Sequence, residues 1–169
     1  MEFYEVLRTR RSIRKYKDKP VEKDKIDRIL EAVRLAPSAK NIQPWHFLVI
    51  RDESARRALH EAYPRDWFST APVIICACGE PAKGWVRRDG KSYLDVDVAI
   101  AFEHLILAAA AEGLGTCWIG AFDPAAVKRV LGLPPGVEPI AMTPLGYADE
   151  EPRPFTRRTI ADFVRRERW

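Results

Sequence analysis

The stretch from Asp95 to Glu112 limits most what this chain can become, because its apolar residues go nearly all the way round a helix. Most surface helices of soluble proteins keep one polar face. A helix without one must be enclosed, either inside its own fold or at a subunit interface. The nearly apolar part, Val98 to Ala111, is too short to span a bilayer and carries Glu103 and His104, so no membrane segment is expected. Gly113 and Gly115 follow as helix-ending residues.

The segments on either side supply material to enclose it. A first helix is predicted over Glu2 to Thr9. A second opens at Val21-Glu22-Lys23-Asp24, carries the apolar stripe Ile26, Ile29, Leu30, Val33 and Leu35, and stops at Pro37. Trp45 to Ile50 reads as a strand and Glu53 to Tyr63 as a short helix. Pro72 to Cys78 is a continuous apolar run of strand length, as in a strand buried on both faces. Lys83 to Lys91, with Gly84, Trp85 and Gly90, reads as a mobile loop or short lid. Thr116 to Gly120 is a short strand, and Asp123-Pro124 caps a helix through Leu131. Glu138 to Tyr147 is the last core strand, and Ile160 to Arg166 closes the tail as a helix. About four strands alternating with helices in 169 residues give one domain, residues 1–169, of the α/β or α+β layer class.

Several function classes drop out. His46, His60 and His104 lack the spacing of a metal site, and there is no G-x-S-x-G elbow, P-loop or G-x-G-x-x-G. Gly113-Leu114-Gly115 follows a helix, the reverse of a dinucleotide fingerprint. Cys76, Cys78 and Cys117 lie among hydrophobic neighbours and read as reduced core residues. The first residues carry no basic and apolar leader, so a cytoplasmic protein is expected. A net charge of +4 suits an anionic ligand such as a phosphate but does not indicate nucleic acid.

What remains is a basic cluster that reads either as a solvated turn or as chemistry for holding an anion. Arg10-Arg11-Ser12-Ile13-Arg14 places three guanidiniums and a hydroxyl within five residues, and Tyr16 and Pro20 put the cluster on a turn. Guanidiniums are forked, permanently charged donors suited to phosphate. Pro37-Ser38-Ala39-Lys40-Asn41-Ile42-Gln43-Pro44 is a polar loop bounded by prolines, and Arg157-Arg158 sit near the C-terminus.

In combination these blocks resemble the nitroreductase family of flavoproteins. The resemblance rests on Arg10 to Tyr16, Ala36 to Phe47, Glu112 to Phe122, Pro144-Leu145-Gly146-Tyr147 and Arg157-Arg158, in family order from about Leu7 to Val164. It implies an α+β sandwich, with a mixed central sheet of about four to five strands flanked by helices. It also implies an intertwined homodimer with FMN at the subunit interface. Arg10, Ser12 and Arg157 or Arg158 would hold the FMN phosphate and ribityl chain, and Arg14 would reach the N1/O2 edge of the ring. Arg11 is counted with them without a set role. Pro37, Ser38 and Ala39 would reach the flavin from the partner subunit, supported by Asn41 and Gln43. Trp118, Ile119 and Gly120 would face the other side of the ring, with a backbone N–H near N5.

The implied reaction is ping-pong, with NAD(P)H as co-substrate and a small-molecule acceptor such as a nitroaromatic or quinone. No catalytic side chain or metal is required, since the cofactor carries the hard step. The alternatives keep the fold: a tyrosine dehalogenase, a flavin-fragmenting enzyme or a flavin-binding protein with little turnover. The first two have distinctive lid segments without a counterpart here. The nearest material is Tyr63 to Asp95, where Trp67, Phe68 and Trp85 could stack on a planar acceptor or serve as dimer contacts.

Overall fold

A computed structural model describes residues 2–169. In chain order the helices are α1 (Phe3–Thr9), α2 (Lys23–Arg34), α3 (Glu53–Ala58), α4 (Asp66–Ser69), α5 (Leu94–Ala111), α6 (Pro124–Leu131) and α7 (Ile160–Phe163). The strands are β1 (Trp45–Ile50), β2 (Val73–Gly79), β3 (Gly115–Thr116) and β4 (Glu138–Gly146). The sheet runs β1-β2-β4-β3 and every strand pairing is antiparallel. Among the described residues its parallel component is a single bridge, Ser12 to Thr116, which joins the basic turn to the β3 edge.

The two-residue period of β2 divides the interior in two. Val73, Ile75 and Ala77 face α2 and α5 in one core, with Ile29, Phe102, Leu105 and Leu145. Ile74, Cys76 and Cys78 face the other way, against Leu59, Phe68, Val127 and Met142. Both faces are covered, so every residue of β2 is buried although its neighbours are antiparallel. Burying one side chain such as Phe102 or Leu105 contributes about 1.5–3 kcal/mol.

Helix α5 is enclosed on most of its circumference. Leu94, Val98, Ala101, Phe102, Leu105, Ile106 and Ala109 are buried. Leu107, Ala108 and Ala111 instead meet Phe3 and Val6 around an open cavity of about 330 Å³. On α1, Phe3 is 60% exposed and Leu7 45% exposed, so this apolar side is not closed within one chain. No helix among the described residues is long and apolar enough to cross a membrane.

Four local readings are corrected. Leu35 does not belong to the buried stripe of α2; it is the C-cap and lies exposed. Gly113 (φ +76°) supplies the left-handed turn after α5, whereas Gly115 lies in β3 beside Ile13. The helix predicted to Tyr63 is α3 followed by a 3-10 turn at Leu59–Glu61. The tail helix is only four residues long, closed at its start by a Thr159–Asp162 capping box.

Candidate functional site

The basic turn is fastened on two sides. The Ile13 N–H donates to the Thr116 carbonyl at 2.8 Å. On the other side Tyr16 bridges Ala148, Asp149 N–H donates to the Lys15 carbonyl at 2.9 Å, and Glu150 accepts from the Arg14 N–H. Ile13 is the buried residue that plugs the turn into the core, so Arg10, Arg11, Ser12 and Arg14 are left facing outward. Beneath them lies the Cys117 thiol; burial pushes its pKa up, and Arg14 beside it acts in the opposite direction.

Arg10, Arg11, Ser12 and Arg14 line one cavity of about 240 Å³ together with Arg153, Phe155 and Arg157. Five guanidiniums therefore meet with no carboxylate in the lining, and none of the five forms an ion pair among the described residues. Phe155 organises two of them. The Arg11 guanidinium carbon is 3.7 Å and that of Arg157 4.2 Å from its ring centroid, within cation–π range. Arg11 also donates to the carbonyls of Arg8 and Arg10, at 2.7 and 2.6 Å, so it braces the turn. Arg158 lies elsewhere, 5.8 Å from the Phe163 ring centroid. Sequence reasoning missed Phe155 and Arg153; the only signal was an aromatic residue between arginines in an otherwise polar tail.

The proline-bounded loop lies apart from the arginines in the same chain. It holds three non-glycine residues with left-handed backbone: Lys40 (φ 50°), Asn41 (φ 55°) and Gln43 (φ 53°). Each such residue costs on the order of 1–3 kcal/mol, least for Asn, unless its surroundings hold it. The hold is visible. Gln43 N–H donates to Ser38 Oγ at 2.9 Å, and the Gln43 amide donates to the Asn41 carbonyl at 3.0 Å. Ala39 N–H donates to Asp97 Oδ1 of α5 at 2.9 Å. Asp97 is 2% exposed, and it too was missed.

At the Trp118-Ile119-Gly120 segment, Ile119 is buried and exchanges two backbone bonds with Met142. Its N–H is therefore taken, and a backbone donor from this segment must come from Trp118 or Gly120. Trp118 is 42% exposed and stands edge-on to Phe102, with centroids 4.4 Å apart. A Cβ on Gly120 would meet only Trp118 Nε1, at 3.9 Å, so nothing in this chain crowds it. Of the aromatic lid candidates, Phe68 is fully buried and cannot stack on a ligand. Trp67 packs edge-on against Tyr63 and Phe68, and Trp85 against Tyr93.

An antiparallel sheet between helical layers, with an arginine-lined cavity at the β3 edge, defines an α+β protein with concentrated positive charge at that edge. Comparison with known proteins makes this specific. The model of the nitroreductase family matches residues 7–63 and 59–147, and the chain belongs to that family. The crystal structure of a nitroreductase family protein from Clostridium difficile 630 superposes with a TM-score of 0.93 at 32% identity, covering 100% of both chains. An FMN-dependent nitroreductase from Clostridium difficile R20291 gives 0.84 at 29% identity, covering 97% of this chain and 98% of the other. A protein named NADH dehydrogenase from Thermus thermophilus is 33% identical over 92% of this chain and 91% of its own length. The tail with Arg153, Phe155 and Arg157 lies beyond the residues the family model matches.

Proposed function

We propose that this protein is an FMN-dependent NAD(P)H oxidoreductase that works as a homodimer. The observation that carries the reading is the meeting of Arg10, Ser12, Arg14 and Arg157 around one carboxylate-free cavity. That donor set fits a phosphate monoester dianion, which needs several charge-assisted hydrogen bonds and no competing anion. Arg10, Ser12 and Arg157 would bind the FMN phosphate, with Arg11 and Phe155 bracing them. Arg14 would supply fixed positive charge toward the ring. The chemistry supplied by bound FMN is two-electron transfer, from NAD(P)H in one half-reaction to a nitroaromatic, quinone or similar acceptor in the next.

Pro37, Ser38 and Ala39 line a different cavity from the one the arginines line, as suits a loop that serves a partner's cofactor. The open apolar side of α1 and α5 and a tail exposed from residue 151 onward support the dimer. The exposed Trp118 and uncrowded Gly120 leave room for a planar ring against that segment.

The test is the purified protein itself. It should carry a flavin absorption spectrum that NAD(P)H bleaches anaerobically and a nitroaromatic restores. A flavin spectrum that NAD(P)H fails to bleach would favour a binding protein with little turnover and sink the oxidoreductase reading.

A further inference from the structure

The most unusual group outside the arginine cavity is Asp97. It sits in the first turn of α5, buried, with one carboxylate oxygen on the Ala39 N–H and the other, Oδ2, buried without a hydrogen-bond partner among the described residues. Burying a carboxylate is unfavourable, and leaving one oxygen unpaired makes it more so. As an acid in the first turn Asp97 suits the helix N-terminus, but Leu94, Val98, Ala101 and Phe102 already seat α5 in the core, and the helix does not require the carboxylate to be buried. What Asp97 does contact is a loop distant in sequence, at the residue directly before the left-handed Lys40 and Asn41. Asp97 and that loop line one cavity, with Trp85, Tyr93 and Ile100.

We infer that Asp97 is a positioning residue: its carboxylate holds the Ala39 N–H and keeps the strained Pro37–Gln43 loop in the shape that meets the cofactor. The inference rests on the FMN reading for its functional half, but the holding of the loop stands on this chain alone. Ser38 Oγ closes the loop from inside by accepting from Gln43, and Asp97 anchors it to the scaffold from outside. The two contacts together fix a segment whose backbone would otherwise relax out of the left-handed region. A rigid element then presents a preorganised loop, which is what a site assembled from two subunits requires.

The experiment uses Asp97→Ala, which removes the acceptor, and Asp97→Asn, which keeps an oxygen for Ala39 but loses the charge. Three quantities are read: amide hydrogen exchange at Ala39 and along α5, FMN dissociation constant, and thermal midpoint of the apoprotein. In Asp97→Ala, exchange at Ala39 should rise at least about tenfold while α5 stays protected, and FMN should bind at least about tenfold more weakly. The apoprotein midpoint should hold or rise, and Asp97→Asn should restore most of the affinity. Unchanged Ala39 exchange in Asp97→Ala would overturn the inference, as would a loss of protection along α5 and of apoprotein stability matching the loss of FMN. If the native protein binds no FMN at all, the functional reading falls on its own, and Ala39 exchange still decides whether Asp97 holds the loop.

Discussion

Ser12 pairs in parallel with Thr116, and the next residue, Ile13, donates its N–H to the same Thr116 at 2.8 Å. The basic turn is thereby an extension of the sheet edge, and its arginines inherit the rigidity of β3 and β4. The close approach depends on Gly115. A Cβ there would stand 2.8 Å from Ile13 Cγ1 and 2.9 Å from its Cβ, so Ile13 would have to move and take the turn with it. Gly115→Ala should destabilise the protein by about 1–3 kcal/mol, the usual range for overpacking. It should also weaken FMN retention, because the displaced residues carry the arginines. Urea unfolding and flavin fluorescence titration measure both; native stability in the variant would remove Gly115 from this role.

The arginines divide into those on the cavity and those off it. Arg10→Ala or Arg14→Ala should each weaken FMN binding by about 1.5–3 kcal/mol, the range for one charged hydrogen bond. Arg157→Ala should behave the same way, while Arg158→Ala should leave affinity near native, since Arg158 lies against Phe163 outside the cavity. Equal losses at 157 and 158 would show that the tail is arranged differently when the cofactor is bound.

How far the sequence could be read depended on whether a residue's partner was near in the chain. β1 and α6 have the boundaries expected of them, because strand composition and the Asp123-Pro124 cap are local signals. Arg10, Arg11, Ser12 and Arg14 stood out because they lie close together in the chain, but only the other blocks of the family resemblance turned a basic turn into a candidate phosphate site. Arg157 could not be separated from Arg158, since only the fold shows which one Phe155 turns toward the cavity. Asp97 looked like one acid in a long apolar helix. Its meaning lies in a bond to Ala39, 58 residues earlier in the chain, which no local pattern records. Phe68 was misread for the opposite reason: a surface-looking segment, Asp-Trp-Phe-Ser, turns its phenylalanine inward.

Arg28 ties α2 to the end of α5 by two bonds to Glu112, at 2.8 and 2.9 Å, and holds that carboxyl below its ordinary pKa. A depressed carboxylate stabilises the fold above its unfolded pKa, and the contribution disappears as pH falls through the lower folded value. Glu112→Gln should therefore unfold at lower urea than the native protein near about pH 7, with the two midpoints converging as pH falls below about 4.5. A gap that stays constant across that range would mean that packing, not the ion pair, connects the two helices here.

The last prediction concerns the side of the molecule one chain leaves open. Phe3 of α1 lines a cavity with Leu107, Ala108 and Ala111 of α5, and Phe3, Tyr4 and Leu7 on that short helix are each at least 45% exposed. Exposed apolar surface gathered on one side of a chain is characteristic of a subunit interface. If the dimer closes it, sedimentation at micromolar concentration should give one species of twice the 19.3 kDa chain mass. Leu7→Asp should shift that species toward monomer, because a carboxylate placed in the interface would be desolvated without a partner. The same variant should lose FMN although Arg10, Ser12 and Arg157 are untouched, since the Pro37–Gln43 loop would no longer be delivered by a partner. A monomeric variant that binds FMN with native affinity would show that one chain completes the site by itself.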